Sequence, residues 1–209
     1  KLVVTSFVTL DGIMQAPGGP REDRSGAFLH GGWVMPFADE GFGKAVLDVV
    51  GRIGALLLGR GTYDIFAAHW PRITDPADPV AAPFNRIPKY VASRTLENPE
   101  WKGTTVLRDL PADVERLKQS ALRGELQVHG SPGLIQTLLA YELIDELHLW
   151  QFPIVLGTGK RLFGSGTIPA AFQLASSQTT GKGVVISTYH PAGRPGAGDA
   201  SLEDPLKKR

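Results

Sequence analysis

The chain has 209 residues, 42% hydrophobic and 21% charged, with 22 basic and 21 acidic side chains and no cysteine. That mixture is too apolar for a disordered chain and too evenly charged for an electrostatic grip on nucleic acid. The missing cysteines exclude disulfides, thiolate nucleophiles, iron–sulfur clusters and cysteine-based zinc sites.

No apolar run approaches the ~18 residues of a membrane span. Lys1-Leu2-Val3-Val4 reads as an opening strand and not as a signal peptide. A soluble, cytoplasmic protein is expected, with no nucleic-acid or membrane partner. Leu2 to Val8 is apolar and β-branched, and runs into the turn signal Asp11-Gly12. Residues 15–33, rich in Gly and Pro, read as a long loop. Phe42, Ala45, Val46, Val49 and Val50 recur at helical spacing, predicting a helix over Asp39–Val50 stopped at Gly51. Ile53–Leu58 reads as a buried strand. It meets Gly59-Arg60-Gly61-Thr62 and then a second helical pattern at Tyr63, Ile65, Phe66 and Ala67. Residues 71–88 hold five prolines and read as a surface loop. Strands are expected at Lys89–Ser93 and Thr104–Leu107, and a helix at Asp113–Leu122.

Leu126–His129 reads as a strand followed by Gly130-Ser131-Pro132-Gly133, with Ser131 suited to a helix N-cap and Pro132 to the first helical position. That helix runs to about Tyr141. In the strand Leu147–Phe152, Leu147 and Leu149 are expected inward, and His148 and Trp150 outward. Phe172–Ser177 and Gly183–Tyr189 look like a closing hairpin. Alternating strands and helices argue for a single α/β domain over residues 1–190. It has a mostly parallel central sheet flanked by helices, a C-terminal antiparallel hairpin, and a flexible tail at 191–209.

Two strand–glycine–helix junctions, at Gly59 and at Gly130, are candidates for phosphate binding. Ligands in open α/β sheets lie beyond the carboxyl ends of strands, where helix N-termini offer unpaired N–H groups. Such glycines also make plain tight turns. Ser93 and Arg94 follow a strand and can hold a phosphate monoester through charge-assisted hydrogen bonds, although the same residues suit a solvent-exposed turn. Gly157-Thr158-Gly159-Lys160-Arg161 is no Walker loop, because no glycine stands at 154 and Arg161 takes the Ser/Thr position. The five histidines lack ligand spacing, so no metal is expected.

Leu56-Leu57-Leu58-Gly59-Arg60-Gly61-Thr62-Tyr63 resembles a signature of the dihydrofolate-reductase-like family, in the branch typified by the reductase domain of the bifunctional riboflavin deaminase–reductase. Ser6 to Gly12, Val91 to Leu96, Gly130-Ser131 with Leu134, Leu143 to Leu147, and Pro153 to Phe163 resemble further motifs of that branch, in order. The resemblance implies a dihydrofolate-reductase-like fold that binds NADPH. Gly59, Arg60, Gly61 and Thr62 would cradle phosphate, Ser93 and Arg94 would face the 2′-phosphate, and Gly130 and Ser131 would meet the pyrophosphate. It implies hydride transfer to a pterin- or pyrimidine-like small molecule, in the manner of a 5-amino-6-(5-phosphoribosylamino)uracil reductase. A non-catalytic NADP(H)-binding protein on the same fold is the alternative, separated by steady NADPH oxidation. Gly61 stands where the family often has a second basic residue, and Ile13-Met14 where the riboflavin enzyme commonly has a lysine. On the substrate side, Asp11 and Asp39 are the candidate acids, and Trp33 and Phe37 the candidate stacking residues. Asp39 follows Met35-Pro36 much as an acid follows Leu-Pro in dihydrofolate reductases; it equally suits a helix N-cap. The β-forming segment Gly183–Tyr189, read as an uncovered edge, predicts a homodimer.

Overall fold

A computed structural model describes residues 1–120 and 123–198. Its centre is an eight-stranded sheet, built from β1 (Leu2–Thr9), β2 (Ile53–Gly59), β3 (Lys89–Ala92), β4 (Thr104–Leu107), β5 (Glu125–Val128), β6 (Glu146–Phe152), β7 (Phe172–Thr179) and β8 (Val185–Pro191). The order is β4-β3-β2-β5-β1-β6-β8-β7. All pairs from β4 to β6 are parallel, and β8 and β7 join antiparallel. The domain is α/β, with a mostly parallel sheet and a C-terminal antiparallel hairpin, as the sequence predicts.

Strand alternation sorts side chains onto two covered faces. Ala55 and Leu57 of β2 pack with α4 (Leu110–Gln119) and α5 (Pro132–Ala140). Leu56 and Leu58 point the other way, beside Tyr63 of α2 (Arg60–His69) and Phe84 of α3 (Ala81–Arg86). Further along that second face, Phe7, Trp150 and Phe152 meet Phe42, Ala45 and Val49 of α1 (Glu40–Gly51).

This two-sided burial corrects the reading of β6. His148 and Trp150 are not outward but buried, because helices and loops cover both faces of a central parallel strand. The proline-rich stretch 71–88 holds the short helix α3. Pro83 sits in its first turn, where its missing N–H costs nothing, and Asp78 Oδ1 accepts from the N–H groups of Val80 and Ala81. Helix α4 starts three residues earlier than Asp113, and the expected end at Leu122 lies outside the described residues. Strand β8 is no edge: it is paired on both sides, and β7 is the exposed margin. Backbone pairing continues past residue 190, from Ala192 N–H to Ala171 and from Ala171 N–H to Gly193. The rest of the expected tail, from residue 199, lies outside the described residues.

Candidate functional site

Strands β2 and β5 are neighbours, so the two glycine junctions at their carboxyl ends stand side by side. Gly59 N–H donates to the Gly130 carbonyl at 3.2 Å. A Cβ on Gly59 would run into Ser131 Oγ and lie 3.0 Å from the Ser131 nitrogen. A Cβ on Gly130 would lie 2.8 Å from Thr62 Oγ1, and its φ of +128° already favours glycine. A cis peptide joins Gly130 to Ser131. Neither Gly59, the N-cap of α2, nor Ser131, the N-cap of α5, gives a side-chain hydrogen bond to its helix. The first-turn N–H groups of two adjacent helices therefore remain available to an anion. Gly61, by contrast, has nothing within 4 Å of where a Cβ would stand.

The register continues the row of strand ends. Gly59 pairs with Ala92 and Ala92 with Leu107, which brings Arg60, Ser93-Arg94 and Arg108 to successive positions. Arg60 Nε donates to both oxygens of Asp64, at 2.8 and 2.9 Å. Ser93 Oγ accepts from the N–H groups of Thr95 and Leu96. Arg108 clamps the same turn, donating to the carbonyls of Ser93 at 2.7 Å and Leu96 at 2.6 Å. Sequence reading missed this arginine; its signal was a cation immediately after a strand.

A cavity of about 960 Å³ opens beside these junctions. Thr5 and Phe7 of β1 and His129 beyond β5 form its floor. Gly61, Thr62, Phe66 and His69 of α2 form one wall, and loop 14–25 with Lys160 the other. Ser131 lies at the join. The loop is held from within. The Gln15 amide donates to the carbonyls of Asp23 and Ser25, and Glu22 Oε2 accepts from Gly18 and Gly19. Burial pushes the Glu22 carboxyl up. Lys160 reaches Asp23 at 2.6 Å and closes the loop against the segment after β6. Burial holds the His129 imidazole down to about 4, with neighbouring His148 acting in the same direction, so His129 is neutral at pH 7.

Asp11, Asp39, Trp33 and Phe37 do not line this cavity. Asp11 ties the turn after β1 to the segment after β6. It accepts from Thr9 Oγ1 at 2.5 Å and from the N–H groups of Leu156 and Gly157, and these bonds, Thr9 first, hold its carboxyl low. Asp39 is the N-cap of α1, accepting from Phe42 N–H at 2.7 Å, and its second oxygen accepts from Lys182 N–H at 2.8 Å. Trp33 is buried, donates Nε1–H to the Gln15 carbonyl at 2.8 Å, and packs edge-on to Phe152. Phe37 packs on the same Phe152 ring. Of the sequence-derived residues, the structure gathers Gly61, Thr62 and Ser131 at the cavity, with Gly59 and Gly130 in the junctions beside it and Arg60, Ser93 and Arg94 along the adjacent strand ends.

Comparison with known proteins agrees with this fold. A sequence profile of the RibD C-terminal domain matches residues 1–186. The chain belongs to the RibD C-terminal domain family. The uncharacterized protein YyaP of Bacillus subtilis (strain 168) is 26% identical over 193 residues, covering 91% of this chain and 94% of YyaP. A putative riboflavin biosynthesis protein from Shewanella sp. PV-4 superposes with a TM-score of 0.68 at 24% identity, covering 90% and 97% of the two chains. Dihydrofolate reductase from Enterococcus faecalis, solved with NADP(H) and RAB-propyl, superposes at 0.57 with 14% identity, covering 91% of this chain and 96% of its own. The chain thus shares its fold with dihydrofolate reductase. Among the described residues, no helix is long and apolar enough to cross a membrane.

Proposed function

We propose that the protein is an NADPH-dependent reductase that passes hydride to a pterin- or pyrimidine-like small molecule in the cytoplasm. The observation that carries this reading is the pair of adjacent, uncapped helix N-termini at the ends of β2 and β5. They offer main-chain N–H groups and two positive dipole ends to a pyrophosphate. The glycines fit the same role, since a side chain at Gly59 or Gly130 would fill the space between the junctions. Ser93 and Arg94, one strand further out, would take the 2′-phosphate. The cofactor, when bound, supplies the hydride; the chain orients it and shields the cavity under loop 14–25.

Two copies are proposed to pair through the C-terminal margin, where β7 is exposed and Leu174 is half uncovered. Light scattering at micromolar concentration tests that pairing, and a monomeric mass would refute it.

The functional reading is tested by NADPH consumption, followed optically, with reducible pteridines and aminopyrimidines as substrates. Turnover with NADPH in preference to NADH supports it. NADPH binding without turnover of any substrate would favour the non-catalytic alternative. No binding of either nucleotide would contradict both.

A further inference from the structure

A chain of hydrogen-bonded polar side chains runs along β5 to the cavity floor. Arg52 Nε donates to Glu125 Oε1 at 3.0 Å. Gln127, fully buried, spends its two amide hydrogens on Glu125 Oε2 and the Val49 carbonyl, both at 2.8 Å. Both neighbours only accept, so the amide cannot be flipped, and its Oε1 must face His129. That oxygen lies 3.2 Å from His129 Nε2. Nε2 therefore carries the proton, and Nδ1 is left as a lone-pair acceptor.

The buried groups of Glu125 and Gln127 all find partners, as buried polar chains must to avoid a cost. His129 Nδ1 meets no described protein group and belongs to a half-buried ring that lines the cavity, open to whatever the cavity holds. Beside it, one step beyond the paired residues Val4 and Val128, Thr5 is 4% exposed and its hydroxyl also lacks a partner. The polar capacity of this row is not consumed within the protein.

We infer that His129 is a specificity-determining residue whose Nδ1 accepts a hydrogen bond from a ring N–H of a neutral heterocycle, with Gln127 and Glu125 as the positioning residues that fix its tautomer. The inference rests on the cavity being the substrate site of the proposed reductase, and it adds which edge of the substrate is read. A ring with its nitrogen alkylated would leave Nδ1 unmet and would be rejected.

The probe is 2-pyridone, a flat cyclic amide, against 1-methyl-2-pyridone, which lacks the N–H. Both are titrated by NMR into the full chain without nucleotide. Expected are at least roughly tenfold weaker binding of the methylated ring, a similar loss of 2-pyridone binding in His129→Phe, and retention in His129→Asn, whose amide oxygen can stand near Nδ1. Nitrogen-15 spectra of the unaltered protein should show Nε2 protonated and Nδ1 bare, with the Nδ1 signal moving on addition of 2-pyridone only. Equal binding of the two rings, no binding of 2-pyridone, or a protonated Nδ1 would each overturn the inference, even if His129→Phe failed to fold. NADPH is titrated separately into the same proteins. Weakened NADPH binding in His129→Phe would assign the imidazole to the cofactor and overturn the inference. Absence of NADPH binding by the unaltered protein would overturn the proposed function and leave the pyridone result to be judged alone.

Discussion

The two ends of the cavity are built from different material. At the junction end, the main chain does the work: glycines let β2–α2 and β5–α5 interlock, and the donors are backbone N–H groups. At the floor, side chains do it: Thr5 and His129 project from neighbouring strands, with the imidazole held by buried Gln127. The contrast separates two kinds of recognition. A main-chain cradle suits phosphates, which every nucleotide carries, whereas a side-chain floor can tell one ring from another.

The largest expected effect comes from breaking the main-chain end. Gly59→Val would drive a branched side chain into Ser131. Overpacking of that kind costs about 1–3 kcal/mol of stability, and NADPH binding is expected to fall below detection. Calorimetry checks this, and unchanged affinity would move the phosphates elsewhere. Next is Arg94→Ala, expected to weaken NADPH by about 1.5–3 kcal/mol, the usual worth of a charged hydrogen bond, while NADH barely changes. An equal loss for both nucleotides would remove Arg94 from the 2′-phosphate.

Asp39→Ala separates the site from its scaffold. It removes the cap of α1 and the bond to Lys182, so the unfolding midpoint should drop while NADPH affinity holds. Lost turnover with an unchanged midpoint would return Asp39 to the chemistry.

The side-chain floor carries a pH signature. The folded His129 sits at about 4, below the ordinary 6.5 of the unfolded chain. Above pH 6.5 both states are neutral. Between 6.5 and 4 the unfolded chain binds the proton first, so stability falls as pH falls through this window. Urea unfolding should show that slope, and His129→Asn should flatten it; an unaltered slope would contradict the half-buried, neutral imidazole. The smallest effect is a control. Gly61→Ala meets nothing and should stabilise α2 by up to about 0.5 kcal/mol, whereas a loss like that of Gly59→Val would erase the distinction between the two glycines.

The junction end was legible because its requirements are local. A strand, a glycine and a helix start lie within a few residues, and Gly59, Gly61, Gly130 and Ser131 could be singled out in sequence order. That β2 and β5 are adjacent, so that one junction buttresses the other, is a property of the sheet order. The floor was not legible for the same reason. Thr5 and His129 come together only through a register linking Leu2 to Leu126. The rule that ligands lie beyond strand ends could have flagged His129, the residue just before the Gly130 turn. Asp39 left two readings open because a capping acid and a reacting acid look alike in sequence; the bonds to Phe42 and Lys182 show the capping role. His148 and Trp150 misled because alternation in a strand covered on both faces separates two interiors, not inside from outside.

The most direct test of the central claim is amide NMR of the assigned protein during NADPH titration. The paired helix N-termini predict the largest shifts at Arg60–Thr62, Ser131 and Gly133, with smaller ones at Ser93 and Arg94. Shifts absent from both junctions, or confined to the C-terminal margin around Phe172 and Leu174, would contradict it.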